Sequence, residues 1–239
     1  MKLVILDRDG VINHDSDQFI KSPDEWRPLP GSLEAIARLT QWGYRVVVAT
    51  NQSGIGRGLF DMDTLNAIHD KMMKAVALAG GRIDSIFFCP HAAESTCDCR
   101  KPRPGMLREI AVRYSTDLKG VPAVGDSLRD LQAAAVVGAQ PILVLTGKGT
   151  KTHDHPDLPR ETLVFPDLAA AAQAEPADPP ALGPLHAAAG ADHATLCPGC
   201  HALLSPAASL APPLGGAVGG GGDLADQASA AHRLSRAGA

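Results

Sequence analysis

The sequence predicts an α/β fold, built as a three-layer, Rossmann-like, mostly parallel sheet with helices on both faces. Two patterns indicate it. Short apolar runs alternate with helical periodicity through the first three quarters of the 239 residues, which is the order of β-α-β units. The runs are apolar throughout, as expected of strands that are buried on both faces. Because ligands bind such sheets at the carboxyl ends of the strands, polar segments that directly follow an apolar run are the candidate functional segments.

Each predicted strand corresponds to one apolar run. The strands are expected over residues 3–6, 45–49, 83–88, 121–124, 141–145 and 163–165. Apolar residues three and four positions apart predict the helices, over residues 32–42, 63–79, 104–111, 127–137 and 167–174. Ser32 is expected to cap the first helix and Gly43 to end it.

Composition excludes several classes of function. A net charge of −4 and an aromatic content of only 4% argue against broad binding to nucleic acid or to anionic lipid. No apolar run approaches the roughly 18 residues that span a bilayer, and the N-terminus lacks the long apolar region of a signal peptide. We therefore expect a cytoplasmic monomer that acts on a small molecule, with no nucleic-acid or membrane partner. Five cysteines in such a chain are better explained as metal ligands or free thiols than as disulfides.

The last quarter of the chain has a different composition. We expect a first domain over residues 1–176 and a tail over residues 177–239, which is rich in Ala, Gly and Pro and has no aromatic residue. Such a segment has little apolar surface to offset its ordering entropy, so the tail is predicted to be disordered. It contains Cys197-Pro-Gly-Cys200-His201, which matches a c-type haem attachment string. Without an export signal or a helical haem domain, we interpret that match as chance.

The first polar segment is Asp7-Arg8-Asp9-Gly10, directly after the first predicted strand. Asp7 could attack phosphorus to give an aspartyl-phosphate. Asp9 could protonate the leaving oxygen and later activate water, and Gly10 allows the chain to turn sharply. A solvated turn explains this short motif about equally well.

Three further polar segments follow predicted strands or precede helices. Thr50 begins a segment whose hydroxyl and backbone amides could hold phosphoryl oxygens, with an ordinary polar turn as the alternative. Lys101 could balance the charge of a phosphate and nearby acids, although a lone lysine is more often a surface residue. Asp126 could complete a magnesium site, because Mg²⁺ prefers carboxylate, carbonyl and water oxygens, or could cap the following helix. Asp130 is interpreted as a supporting or a surface acid.

A second cluster has the spacing C-x-H-x₅-C-x-C. It consists of Cys89, His91, Cys97 and Cys99. Three cysteines and one histidine form a closed tetrahedral zinc set, and the loop between them has almost no apolar side chain to order it by packing. We predict a structural zinc site here, with three free cysteines and a surface histidine as the weaker alternative. By contrast, residues 147–150 resemble a phosphate-binding loop only superficially, since the upstream glycine of that motif is missing.

Four of these motifs stand in the order and strand context of the haloacid dehalogenase superfamily of phosphatases, which the chain resembles over about residues 1–174: Asp7-x-Asp9-Gly10, Thr50-Asn51, Lys101 and Gly125-Asp126. The resemblance implies a magnesium-dependent phosphatase with Asp7 as nucleophile and Asp9 as general acid and base. It implies that Thr50 and Lys101 stabilise the transferred phosphoryl group. Asp7, the Asp9 backbone carbonyl and Asp126 would bind Mg²⁺.

The zinc-type spacing directly before Arg100 narrows the resemblance to the D,D-heptose 1,7-bisphosphate 7-phosphatases and the related histidinol-phosphate phosphatases. Residues 51–58 and 97–102 resemble the heptose enzymes more closely. That resemblance implies removal of the 7-phosphate of D-glycero-D-manno-heptose 1,7-bisphosphate in lipopolysaccharide precursor synthesis, and a minimal cap made of short loop insertions. Arg100 would help bind the second phosphate. The implied substrate-binding residues are Asp15, Gln18, Asn51, Gln52, Ser53, Arg57 and Arg100.

Three alternatives stay open from the sequence. Histidinol phosphate would require the same chemistry with another leaving group. An inactive phosphate-binding module should have lost a reactive residue, but Asp7, Asp9, Lys101 and Asp126 are all present. A zinc-finger contact with nucleic acid is opposed by the acidic net charge and by the lack of a basic stripe.

Overall fold

One six-stranded parallel sheet lies at the centre of the computed structural model, which describes residues 1–174. The strand order is β3-β2-β1-β4-β5-β6. The strands are β1 (Lys2–Leu6), β2 (Tyr44–Asn51), β3 (Ser85–Cys89), β4 (Pro122–Gly125), β5 (Gln140–Val144) and β6 (Leu163–Phe165). The predicted tail and its haem-like string lie outside the described residues.

Helices connect successive strands, as parallel pairing requires. They are α1 (Ser32–Gln41), α2 (Ser53–Gly56), α3 (Met62–Leu78), α4 (Gly105–Arg113), α5 (Leu128–Val136), α6 (Gly149–His153) and α7 (Leu168–Ala171), with a short 3₁₀ helix over Pro23–Glu25. Within residues 1–174, none of these helices combines the length and the apolar character needed to cross a membrane.

The two faces of the sheet bury separate sets of side chains, because successive residues of a strand point to opposite faces. On one face, Val4 and Leu6 of β1 pack with Ile36 of α1 and Ile68 of α3. On the other face, Leu3 and Ile5 pack with helices α4 and α5. Both residue sets of each central strand are therefore buried, which explains the continuous apolar runs. The predicted three-layer α/β fold is confirmed.

Most predicted element boundaries differ from the observed ones by one to three residues, and the prediction that Ser32 caps the first helix was wrong. Ser32 is the first residue of α1 rather than its cap, since Gly31 occupies the N-cap position with a φ of 75°. The Ser32 hydroxyl instead donates to the carbonyls of Ile12 (2.7 Å) and Leu29 (2.8 Å), and so ties α1 to the preceding loop. The third strand begins at Ser85 rather than at residue 83.

Two helices were not predicted at all. Both α2 and α6 span fewer than two helical turns, which is too short for a 3.6-residue period to show in the sequence. Both begin close to a predicted polar segment, so their positions matter for the site.

The strand order places β1 at a switch point of the sheet. Its neighbours are β2 and β4. The chain runs from β1 outward to β2 and β3 on one side, then returns to β4 and continues outward to β5 and β6 on the other side. A crevice opens above the carboxyl ends of the strands at such a point. The segments that follow β1, β2 and β4 therefore meet there.

Candidate active site

Asp7 and Asp126 are brought together by the pairing of β1 with β4. The backbone N–H of Asp7 donates to the carbonyl of Val124 (2.9 Å), which extends that pairing past Leu6. Gly10 then turns the chain with a φ of 83°. A Cβ atom at Gly10 would collide with the Asp126 carboxylate, so glycine is required there both for the backbone angle and for space.

Three buried carboxylates form the centre of the site. Asp7, Asp126 and Asp130 each offer an oxygen atom, and these atoms lie within 4.8 Å of one another. Burial, and next the charge of Asp130, raise the pKa of Asp7 to about 6. The same two causes raise the pKa of Asp126 to about 8. Carboxylates held this close favour a bound cation, and an all-oxygen donor set is the kind that Mg²⁺ prefers.

Lys101 supplies one positive charge to this cluster. Its buried Nζ lies 2.7 Å from Asp130 Oδ1 and 3.1 Å from Asp7 Oδ1, and donates to the carbonyl of Ala49 (2.6 Å). Although burial opposes the charged form, Asp130 and then Asp7 raise the pKa of Lys101. The side chain of Asn51 exchanges two hydrogen bonds with the backbone of Lys101 (3.0 and 3.1 Å). The end of β2 thus fixes the position of the ammonium group.

Asp9 has a different environment from Asp7. Arg8 donates to its carboxylate through Nε (3.1 Å to Oδ1) and Nη2 (2.9 Å to Oδ2), and Asn13 and Gln52 each donate one further bond of 2.9 Å. Burial opposes ionisation, but the charge of Arg8 and these hydrogen bonds lower the pKa of Asp9. Asp9 is therefore held as a carboxylate at neutral pH.

Gln52 connects Asp9 to the predicted phosphate segment. Its side-chain oxygen accepts from Arg8 Nη2 (3.1 Å), and its amide nitrogen donates to Thr50 Oγ1 (3.0 Å) as well as to Asp9. Because Thr50 Oγ1 accepts this bond, its own proton is available to a phosphoryl oxygen. Gln52 is thus a positioning residue that orients both groups.

The structure decides between the alternatives that the sequence left for Asp126 as a helix cap and for Asp130 as a surface acid. Asp126 does not cap α5. Ser127 is the N-cap, and it forms a capping box with Asp130, whose Oδ2 accepts from both the backbone N–H (3.1 Å) and the hydroxyl (2.5 Å) of Ser127. Asp130 is also not a surface acid, since it is buried and paired with Lys101.

A cavity of about 230 Å³ opens beside these groups. Of the predicted substrate-binding residues, Asp15, Asn51, Gln52, Ser53, Arg57 and Arg100 line it, together with Asp7, Asp9 and Thr50. Gln18 is exposed and lies outside the lining, although its neighbours Asp17 and Phe19 contribute to it. Lys101 is buried and is not part of the lining, but its Nζ lies 3.1 Å from Oδ1 of Asp7, which is.

Two family models match the chain. One, described as HAD-hydrolase-like, covers residues 98–171. The other, described as polynucleotide kinase 3 phosphatase, covers residues 2–133. Together they span the whole of the site.

Similar proteins share the full length of this domain. A D-glycero-beta-D-manno-heptose-1,7-bisphosphate 7-phosphatase of Bordetella bronchiseptica is 66% identical over 173 residues, which are 72% of this chain and 97% of the relative. One of Pseudomonas aeruginosa is 57% identical over 72% of this chain and 96% of the relative. The chain belongs to the haloacid dehalogenase phosphatases, in the family of the D-glycero-beta-D-manno-heptose-1,7-bisphosphate 7-phosphatases.

A solved structure agrees with this family assignment. The D,D-heptose 1,7-bisphosphate phosphatase of B. bronchiseptica, crystallised with magnesium and phosphate, matches with a TM-score of 0.72 at 66% identity, over 72% of this chain and 97% of that one. The corresponding enzyme from Burkholderia thailandensis matches with a TM-score of 0.58 at 56% identity, over the same shares. The predicted family and the predicted phosphatase activity are confirmed.

The Cys/His cluster of this phosphatase lies at the end of β3. The Sγ atoms of Cys97 and Cys99 are 3.7 and 3.4 Å from Cys89 Sγ, and His91 Nδ1 is 3.5 and 3.3 Å from the Sγ atoms of Cys89 and Cys99. The hydrogen bond with Cys99 is the main cause that lowers the pKa of Cys89 to about 5. Three thiols and one ring nitrogen that converge on one point fit a tetrahedral zinc ion.

The sequence did not single out several residues of the site. Arg8 occupies the variable position of the first motif, yet it is completely buried and holds Asp9. Its Nη1 lies 3.3 Å from His69 Nε2, and burial, together with Arg8, lowers the pKa of His69 to about 3, so this ring is neutral. The backbone N–H of Lys148 donates to Asp126 Oδ2 (2.8 Å), and its Nζ pairs with Asp15 Oδ2 (2.8 Å).

Proposed function

We propose that this phosphatase removes the 7-phosphate of D-glycero-D-manno-heptose 1,7-bisphosphate through an aspartyl-phosphate on Asp7. The observation that carries the proposal is the position of Asp7. Its carboxylate lines the cavity, 3.1 Å from Lys101 Nζ and next to the acids that could hold Mg²⁺. The names of the relatives support the choice of substrate.

In the first half-reaction, an Asp7 oxygen attacks phosphorus in line with the bond to the sugar oxygen. That bond breaks as the new one forms, and the Asp9 carboxyl gives its proton to the departing oxygen. Because Arg8, Asn13 and Gln52 all donate to the charged form of Asp9, the carboxyl must give up some of these bonds to carry a proton.

In the second half-reaction, the Asp9 carboxylate takes a proton from water, and the water oxygen attacks phosphorus. The bond to Asp7 then breaks, which releases inorganic phosphate and restores the free carboxylate. The hydrogen bonds that Asp9 accepts in the structure suit this step, since they hold it as a base.

The negative charge of the transferred group is met from two sides. Lys101 and the Thr50 hydroxyl face it from the protein. Asp7, the backbone carbonyl of Asp9 and Asp126 would hold Mg²⁺, with Asp130 beside them. When bound, this ion would neutralise phosphoryl oxygens and keep Asp7 ionised.

The Cys/His cluster would have a structural part in this function. We propose that Cys89, His91, Cys97 and Cys99 bind one Zn²⁺, which closes the site to further ligands. The cluster comes directly before Arg100 and Lys101 in the chain, so the ion would fix the start of the segment that carries both residues.

We also propose that the protein works as a cytoplasmic monomer in lipopolysaccharide precursor synthesis.

A substrate panel tests the proposed substrate. The kcat/KM values for the α and β anomers of heptose 1,7-bisphosphate, for histidinol phosphate and for a 3′-phosphorylated oligonucleotide should be compared at saturating Mg²⁺. We expect the kcat/KM value for one heptose bisphosphate anomer to exceed those for histidinol phosphate and for the oligonucleotide by at least about a hundredfold. That ratio corresponds to about 2.7 kcal/mol of transition-state binding. A higher value for histidinol phosphate would replace this proposal with its rival.

A further inference from the structure

Three guanidinium groups line the cavity, and two of them are held by other parts of the protein. The guanidinium of Arg57 lies over the Phe19 ring, 5.8 Å from its centroid. Arg100 donates to the carbonyl of His91 (3.4 Å). Both side chains are thus oriented by contacts that exist without a ligand.

Arg129, the third, has no such contact. It is the second residue of α5, and its Nε is buried without a hydrogen-bond partner. Within the described part of the chain, Arg129 forms no ion pair of the kind that holds Lys101 and Lys148. A buried donor without a partner costs free energy that a bound acceptor would recover. The side chain is therefore in place to receive an anion.

The charges around Arg129 show where that anion would bind. Although burial opposes the charged form, Asp130 and Asp7 raise the pKa of Arg129, so it is a permanent cation. Arg100 and Arg129 line the same cavity, and burial, and next the charge of Arg129, lower the pKa of Arg100. Two like charges beside one cavity are stabilised by an anion between them.

The phosphate that reacts has other partners. It would be met by Lys101, by the Thr50 hydroxyl and by the proposed magnesium ion. A guanidinium fork matches the geometry of a phosphate, to which it can donate two parallel hydrogen bonds. Arg129 would thus add a contact to a second phosphate, which a bisphosphate carries and a monophosphate lacks.

We infer that Arg129 is a specificity-determining residue that binds the phosphate which is not cleaved, and so selects a sugar bisphosphate over the corresponding monophosphate. The inference rests on the proposed function, because it assumes a substrate with two phosphates. It adds a residue of α5 to the predicted contact of Arg100.

The test compares two substrates in four proteins. The kcat/KM values for heptose 1,7-bisphosphate and heptose 7-phosphate are measured at saturating Mg²⁺ for the wild type, Arg129→Gln, Arg129→Lys and Arg82→Gln. Arg82 is a matched control, since it precedes β3 and so lies at the amino ends of the strands. The cavity lies at their carboxyl ends. Circular dichroism confirms folding of each variant.

Arg129→Gln should lower kcat/KM for the bisphosphate by about 10- to 100-fold, the loss expected for a hydrogen bond between charged groups. The loss should appear mainly in KM, because the second phosphate is bound equally before and during the reaction. The ratio of the kcat/KM value for the bisphosphate to that for the 7-phosphate should fall, because the 7-phosphate lacks the group that Arg129 would bind. Arg129→Lys should keep part of the preference, since it retains the charge but not the fork. Arg82→Gln should match the wild type with both substrates.

Two results would overturn the inference. An equal loss of kcat/KM with both substrates in Arg129→Gln would show that Arg129 acts on the reacting phosphate or on the carboxylates. An unchanged kcat/KM with both substrates would show that Arg129 does not contact the substrate. Both results leave the proposed function intact as long as the wild type prefers the bisphosphate. A wild type that used both substrates equally well would instead contradict the proposed function and, with it, the inference.

Discussion

Asp7 and Asp9 are separated by one residue, but their pKa values are shifted in opposite directions. Burial, followed by the charge of Asp130, raises the pKa of Asp7, whereas Arg8 and two amide side chains lower that of Asp9 against the effect of burial. Two carboxyl groups whose environments move their pKa values apart are suited to different tasks. The difference is consistent with one of them attacking phosphorus and the other exchanging protons.

Replacing Asp7 tests its proposed role as nucleophile. Asp7→Asn keeps the size of the side chain and removes one charge from a cluster of three carboxylates, so the fold should be retained. Turnover should fall by at least about a thousandfold, since no covalent intermediate can form. Steady-state kinetics and thermal melting of the same preparation measure both effects. Near-wild-type turnover by Asp7→Asn would exclude this mechanism.

The raised pKa values predict how magnesium binding depends on pH. Asp7 and Asp126 have pKa values of about 6 and about 8 without metal, and Mg²⁺ must displace the protons that they carry. Affinity should therefore increase as the pH rises from 6 to 8, by up to about tenfold per pH unit for each proton displaced. Above about pH 8 the increase should stop, because both groups are then ionised.

Magnesium titrations at several pH values, followed by the increase in melting temperature or by calorimetry, measure this dependence. Calorimetry in two buffers with different ionisation enthalpies should also show proton release at pH 7. An affinity that stays constant between pH 6 and 8 would mean that the carboxylate cluster is not the magnesium site.

The loop between β3 and α4 is the element for which we propose a structural ion. Cys89 ends β3, and the loop carries His91, Cys97 and Cys99. Cys89 and Cys99 belong to one of the two cores, but residues 90–96 contribute to neither. The Arg103 guanidinium donates to the carbonyls of Ser95 (2.9 Å) and Cys97 (2.5 Å), which orders one side of the loop. A zinc ion would order the other side.

Zinc content tests this element directly. We expect about one equivalent of zinc to remain after dialysis, as for closed four-ligand sites. Cys97→Ser should lower both the zinc content and kcat/KM, because the loop positions Arg100 and Lys101. Cys197→Ser is the matched control, since we interpret the haem-like string of the tail as a chance match without a bound metal. Full activity in a folded, zinc-free protein would argue against a structural ion, and loss of zinc in the control would assign it to the tail.

At the scale of the whole molecule, the parallel sheet and its active edge could be predicted because both depend on local patterns. The apolar runs marked β1, β2 and β4, and strand order at a switch point then places Asp7, Thr50 and Asp126 together. Asp130 was only partly recognised, because its pairing with Lys101 depends on how α5 packs, which no spacing in the sequence shows.

Other contacts depended entirely on tertiary structure. Arg8 follows Asp7, and its side chain contacts Asp9, Gln52 and His69 on three different segments. Lys148 lies in a loop that was interpreted only as a poor phosphate-binding motif. Its backbone nevertheless contacts Asp126 and its side chain contacts Asp15. A pairwise contact between distant segments leaves no periodic or spacing signal in a single sequence.

The identity of the phosphate that leaves is the most direct test of the whole account. Phosphorus NMR of heptose 1,7-bisphosphate incubated with the protein and Mg²⁺ separates the two phosphate signals. We predict loss of the C7 signal, growth of one equivalent of inorganic phosphate and a persistent C1 signal. Loss of the C1 signal, or no release of phosphate at saturating Mg²⁺, would contradict the account.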